Sequence, residues 1–170
     1  MSSTDTVILG AGPYGLSLSA HLTAAAVPHE IIGEPMYAWR KTMPQGMFLL
    51  TEAFASNLWA PQSGYKFADY CQKQNIPYQR FGMKLPLQTF IDYALWFQKE
   101  LVKHARPAKP ASVERNEEGF RVTLDDGQII NAQRVVLALG LQELEQVPPV
   151  FRGLPKTHLS HSAGIRDYDW

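Results

Sequence analysis

The period of the apolar residues changes several times along the chain, and each change predicts an element. Val7-Ile8-Leu9 is a short continuous apolar run, the pattern of a buried strand. It leads into Gly10-Ala11-Gly12-Pro13-Tyr14-Gly15 and then a helical stretch, Leu16 to Ala26, with Leu16, Leu18 and Leu22 as apolar contacts. Ile31-Ile32 follows as a second strand and ends in Gly33-Glu34. Residues 6–34 therefore predict a β-α-β unit. From Pro35 to Pro86 the period is lost, and aromatic residues and Met dominate, including Trp39, Met43, Phe54 and Trp59. Within that stretch Tyr65 to Gln74 predicts a short helix carrying Phe67, Tyr70 and Cys71 on one side. Phe90, Ala94, Phe97 and Leu101 then recur at helical spacing. Thr89-x-x-Asp92 has capping-box form and places the start of that helix at Thr89, with Arg106-Pro107 ending it.

Alternation with a period of two takes over next. Val113 to Arg115 predicts one strand. Phe120, Val122 and Leu124 alternate with Arg121, Thr123 and Asp125 in a second, and Asp126-Gly127 signals a hairpin before Ile129 to Gln133. Val135-Val136-Leu137-Ala138-Leu139 is again continuous and apolar, as in a buried parallel strand, and Gly140 breaks it. The expected fold is α/β: a Rossmann-type parallel sheet with helices on one face and a three-stranded β-meander on the other. Residues 1–144 form the expected domain, with an irregular aromatic-rich insertion at about 35–86. Residues 145–170, with Pro148, Pro149 and Pro155, predict an extended connection.

The glycine run carries the chemistry. Between a strand and a helix, Gly10 permits a tight turn, Gly12 lets backbone approach a pyrophosphate, and Gly15 allows helix and strand to pack closely. The first N–H groups of the helix lack internal partners, and the helix dipole favours an anion there. Pro13 is compatible with the first turn. Ser19 is small where the helix must approach the strand. Glu34 follows Gly15 at about the 20-residue spacing of the carboxylate that accepts from a ribose hydroxyl. An ordinary solvated loop acid is the bland alternative for Glu34.

Composition narrows the class. The chain has 170 residues, with 16 Lys plus Arg against 16 Asp plus Glu. A net charge of zero supplies no electrostatic reason for nucleic acid or an anionic membrane as partner. No apolar run approaches about 18 residues, and the first residues show no secretion signal. Cys71 is the single cysteine, which excludes an internal disulfide and a Cys-x-x-Cys pair and makes a cytoplasmic setting the expectation. His158 and His161 lack the further ligands that a metal site needs, so no metal is expected. Nothing has the form of a nucleophile elbow, and no residue is named as a catalytic acid or base.

In this order, the pieces resemble the FAD-binding domain of two-dinucleotide-domain flavoproteins. Gly33-Glu34-Pro35-Met36, then Trp39-Arg40 and Gly46-Met47, is similar to the flavin-containing monooxygenases and the lysine/ornithine N-hydroxylases. Ala138-Leu139-Gly140 resembles their Ala-Thr-Gly motif, with Leu139 replacing the Thr. Phe151-Arg152-Gly153 followed by His161 partly resembles their Phe-x-Gly…His segment. The resemblance implies FAD as cofactor, with Gly10, Gly12, Pro13, Tyr14, Gly15, Glu34, Trp39, Arg40, Met47, Val113, Ala138, Leu139 and Gly140 around it. For Trp39 core packing is an equal alternative, for Arg40 a surface charge, and for Met36, Met43 and Met47 gap filling in an irregular core.

The implied activity is an NADPH-dependent monooxygenation of a small molecule. These families carry a second glycine-rich unit for NADPH, and only one G-x-G-x-x-G occurs here. The expectation is thus an FAD half, incomplete alone, whose residues 145–170 lead toward an NADPH-binding domain or a complementary chain. A non-catalytic FAD-binding module and a NAD(P)-dependent dehydrogenase built on this one unit remain as alternatives. The meander weighs against the dehydrogenase, because simple dehydrogenases continue with further β-α repeats.

Overall fold

The computed structural model describes residues 2–141, 144–155 and 157–167. A five-stranded sheet organises them. Its strands are β1 (Ser2–Leu9), β2 (His29–Ile32), β5 (Pro110–Asn116), β6 (Gly119–Leu124) and β7 (Ile129–Leu137), in the spatial order β2-β1-β7-β6-β5. β1 runs parallel to both β2 and β7, in registers that set Ile8 opposite Ile31 and Val136. β5, β6 and β7 are joined in antiparallel succession. The α/β architecture expected from the sequence is present, with its parallel part built from β2, β1 and β7.

The alternation of β1 divides the core in two. Ile8 and Ile31 point toward helix α1 (Pro13–Ala24), where Gly15, Leu16, Ser19 and Ala20 are buried. Val7, Leu9 and Ile32 point the other way and pack with Val122, Leu124, Ile130 and Ala132 of the meander. The three antiparallel strands β5, β6 and β7 therefore continue the sheet of β1 and β2, and the inner residues of both parts share one apolar cluster on the side away from α1. Arg106 ties β2 to the β6–β7 turn: its N–H donates to the Ile31 carbonyl, and its guanidinium binds Asp126, 2.6 Å away. That guanidinium and the Gln128 N–H hold the Asp126 carboxyl below its ordinary range, the backbone bond contributing most.

Residues 35–86 form short elements: α2 (Tyr37–Lys41), β3 (Phe48–Leu49), α3 (Phe67–Lys73) and β4 (Leu85–Pro86), with a 3-10 turn at Ala53–Ala55. They are organised by helix α4 (Leu87–Leu101), whose Phe90, Tyr93, Ala94 and Phe97 are buried. Phe67, Tyr70 and Trp96 surround Tyr93 with ring centroids between 5.4 and 6.3 Å. The missing period of this stretch reflects single aromatic side chains that reach α4 from separate short elements, Trp39 from α2, Phe67 and Tyr70 from α3, and Tyr65 from the connection before it, so no repeat is needed.

Tyr93 anchors that packing. Its hydroxyl accepts from the Leu58 N–H at 3.0 Å and donates to the Tyr65 carbonyl at 2.9 Å, and burial raises the phenol pKa well above the ordinary range. Tyr93→Phe strands a buried N–H and is expected to cost about 1–3 kcal/mol, measured as a lower urea midpoint with an unchanged m-value.

Three local expectations are corrected. α4 begins at Leu87 with Pro86 as its N-cap and has no side-chain cap; Asp92 instead accepts from the Gln88 side chain. The Leu87 N–H is bonded to the Met47 carbonyl, and this long-range bond starts the helix earlier than the capping-box pattern implied. α4 ends at Leu101, and Arg106 belongs to a parallel bridge with Ile32. Lastly, the strand Ile129 to Gln133 and the apolar run from Val135 form one strand, β7, which ends at Leu137, a residue that is largely exposed. One continuous strand can serve both neighbours because β6 pairs with its first half on the side opposite β1.

Candidate functional site

The carboxyl ends of β1, β2 and β7 meet in one place, and the glycine turn lies there. The Gly10 N–H donates to the Ile32 carbonyl at 2.7 Å, and the Ala138 N–H donates to the Leu9 carbonyl at 2.7 Å. Gly10 has φ +114, and a Cβ there would overlap the Ala138 carbonyl. A Cβ at Gly15 would overlap the Gly10 carbonyl, so α1 and the turn touch backbone to backbone. Gly12 differs from both. It is the N-cap of α1, with φ −79 and ψ −173, and a Cβ on it would meet no atom within 4 Å.

Gly12 therefore faces open space at the start of a 12-residue helix whose second residue, Tyr14, is exposed. Pro13 occupies the first helical position, and the Gly12 carbonyl accepts from the Leu16 N–H at 2.9 Å. The N–H groups of Tyr14 and Gly15 lie in the first turn, where no preceding helical carbonyl exists to receive them. No acidic side chain occupies that turn. These are the features of an anion cradle made from backbone and the helix dipole.

The loop after β2 is tied onto this turn. Gly33, at φ +146, sits so close that a Cβ would come 2.8 Å from the Ala11 nitrogen. The Met36 N–H donates to the Ala11 carbonyl at 3.0 Å, and Met36 is fully buried in the left-handed region at φ +56. Non-glycine residues adopt that conformation when surrounding contacts impose it. Between these two fixed points stands Glu34. Its Oε1 accepts from Arg40 Nη1 at 2.8 Å, and its Oε2 has no partner among the described residues.

The structure thus brings together Gly10, Gly12, Pro13, Tyr14, Gly15, Glu34, Arg40 and Ala138, with Leu139 and Gly140 continuing from Ala138. Leu139 is half exposed, and Gly140 has φ +75. Trp39 is partly buried against Phe90, with centroids 4.9 Å apart. Met47 precedes β3, where its carbonyl holds the start of α4. Val113 lies on β5, paired with Val122, outside the hydrogen-bonded group around the glycine turn.

Arg106 is the residue that sequence reasoning missed. The Gly33 N–H donates to its carbonyl at 2.8 Å, so Arg106 supports the loop that presents Glu34. A bridge of one residue leaves no period to detect.

Two further reactive side-chain types occur in the chain, a thiol and an imidazole near a carboxylate. Cys71 is buried, and burial raises its thiol pKa, which leaves it unreactive at neutral pH. His161 stands 3.9 Å from Glu145. No group of three or more metal-ligating His, Cys, Asp or Glu occurs among the described residues, and none of the described helices is long and apolar enough to cross a membrane.

The family model for L-lysine 6-monooxygenase/L-ornithine 5-monooxygenase matches residues 2–168. The chain belongs to this family. No curated protein matches it. Among solved structures, a flavin-containing monooxygenase from Stenotrophomonas maltophilia is similar at 22% identity and a TM-score of 0.71, over 87% of this chain and 42% of that one. The bacillithiol disulfide reductase Bdr (YpdA) from Staphylococcus aureus is similar at 15% identity and a TM-score of 0.66, over 82% of this chain and 39% of that one. An oxidised steroid monooxygenase bound to NADP is similar at 17% identity and a TM-score of 0.65, over 82% of this chain and 26% of that one. The fold of this family member is thus that of flavoproteins, and the chain spans less than half the length of each of these structures.

Proposed function

We propose that the chain is the FAD-binding part of an NADPH-dependent monooxygenase. One observation carries this reading: the glycine turn, the Glu34 loop and Ala138 converge at the carboxyl ends of the parallel strands, with Gly12 facing open space. That is where an open α/β sheet binds a dinucleotide. The cradle fits FAD, since it offers backbone donors for a pyrophosphate and a carboxylate oxygen for a ribose.

In this reading the Tyr14 and Gly15 N–H groups hold the pyrophosphate, and Gly12 admits it. Glu34 Oε2 accepts from the adenosine ribose, while Arg40 fixes the carboxylate by its other oxygen. Ala138, Leu139 and Gly140, continuing from β7, would border the flavin, and Trp39, packed on Phe90, would line its surroundings. When bound, FAD would supply the redox chemistry by which two electrons from NADPH reduce O₂, one oxygen atom going to a nucleophile and the other leaving as water. The family points to a nitrogen nucleophile, such as the side-chain amine of lysine or ornithine, as the substrate class. NADPH is supplied by a second dinucleotide-binding domain or a complementary chain.

The test is an absorption spectrum and a titration of the purified chain. Flavin bands near one equivalent per chain support the reading, and binding of NAD(P) in place of FAD overturns it. For Glu34, the expected result of Glu34→Gln is FAD affinity weakened by about 1–3 kcal/mol, the range for a charge-assisted hydrogen bond. An unchanged dissociation constant would leave Glu34 as no more than Arg40's partner.

A further inference from the structure

Away from the glycine turn, three polar side chains from three elements meet in a small cluster. Ser19 of α1 is fully buried, with its Oγ 2.8 Å from His29 Nε2 on β2 and 3.4 Å from His104 Nε2 in the connection after α4. The two Nε2 atoms are 3.1 Å apart, and the rings meet edge to face at 4.8 Å. His29 Nδ1 is 2.9 Å from the Val27 carbonyl. A carbonyl only accepts, so Nδ1 carries the proton. In the neutral ring, His29 Nε2 is then the acceptor, and His104 Nε2–H and the Ser19 hydroxyl donate to it.

That arrangement accommodates one added proton and resists a second. If His29 becomes imidazolium, its Nε2–H can donate to His104 only when His104 presents a bare Nε2. With both rings charged, two N–H groups confront each other at 3.1 Å. We infer that His29, His104 and Ser19 form an acid-sensitive latch, which holds the 102–106 segment against α1 and β2 and opens when both imidazoles are protonated.

Other charges near the latch are already engaged or stand on flanking residues. On α1, His21 Nδ1 bonds the Ser17 carbonyl; on β2, Glu30 accepts from Ser2; on β1, Asp5 binds Arg134 and Thr6. Arg106 binds Asp126. Lys99 and Glu100 end α4, and Lys103 precedes His104. Burial, and then the neighbouring His29, lower the His104 pKa from its usual value. A lowered pKa in the folded state means that the latch is complete above the ordinary imidazole range and weakens as pH falls through it. The 102–106 segment also bears on the site, because the Arg106 carbonyl holds the Gly33 N–H.

The experiment is backbone hydrogen exchange at the Gly33 and Arg106 N–H groups, corrected for intrinsic rates, together with an NMR titration of the imidazoles. A solvated imidazole has a reference pKa near 6.5, so excluding one proton at pH 5 is worth about thirtyfold in the opening equilibrium. Protection at both amides is expected to fall by that order between pH 7.5 and 5 in the unsubstituted chain. His104→Gln, whose amide can still donate to His29, should keep the protection at pH 7.5 and lose most of its acid dependence. In the unsubstituted chain His104 should titrate below the ordinary range, and His29→Gln should bring it back up. The same acid dependence in His104→Gln would overturn the latch. If that variant fails to fold, two independent imidazole titrations of ordinary midpoint in the unsubstituted chain would overturn it equally.

Discussion

Gly12→Val is expected to keep the fold and abolish flavin binding. The backbone at Gly12, φ −79 and ψ −173, is open to any residue, and nothing lies within 4 Å of an added Cβ. The stability change should therefore stay within roughly 0.5 kcal/mol, as at an ordinary surface position. The isopropyl group would instead occupy the space where the pyrophosphate must approach the first-turn N–H groups. FAD affinity should drop by about a hundredfold or more, equivalent to about 3 kcal/mol. Gly15→Val is the matching control. There the new Cβ overlaps the Gly10 carbonyl, which is backbone and cannot rotate away, so a loss of about 3 kcal/mol of stability or more is expected. Urea unfolding and FAD titration of both variants separate the two effects. Full-affinity FAD binding by the Gly12 variant would place the cofactor elsewhere.

The FAD-loaded chain by itself should oxidise NADPH orders of magnitude more slowly than when joined by an NADPH-binding partner. Hydride transfer needs the nicotinamide in near-attack contact with the acceptor, and such positioning contributes about 7–11 kcal/mol. The sequence contains one G-x-G-x-x-G, and the structure places it in the cradle between β1 and α1, which FAD would fill. A second nucleotide would meet no comparable cradle among the described residues. The measurement is NADPH consumption by the loaded chain, with and without an amine substrate and with and without a candidate partner. Rapid, saturable turnover by the chain alone would reveal a second nucleotide site and end the half-enzyme reading.

Much of this was legible in the chain because its signals are local. Val7-Ile8-Leu9, the glycines and Ile31-Ile32 specify a β-α-β unit within about thirty residues, since a strand, a turn and a helix N-terminus each depend on near neighbours. Asp126-Gly127 marked the hairpin for the same reason: Gly127 adopts φ +78 and closes a bond to the Leu124 carbonyl. The spacing of Glu34 from the glycines is local to that unit, whereas its loop is tied to the turn by the Met36–Ala11 bond and to the 102–106 segment by the Gly33–Arg106 bond. Tertiary structure alone decided what depends on distant partners. It started α4 at Leu87 through the Met47 carbonyl, merged two expected strands into β7, and turned Arg106 from a helix end into the support of Gly33. It also paired Arg40 with Glu34 and set His104 against His29, contacts that carry no period because each joins single residues from separate elements. A sequence pattern records which face of an element must be buried; which neighbour buries it, and which polar atoms meet there, is settled only when the faces pack.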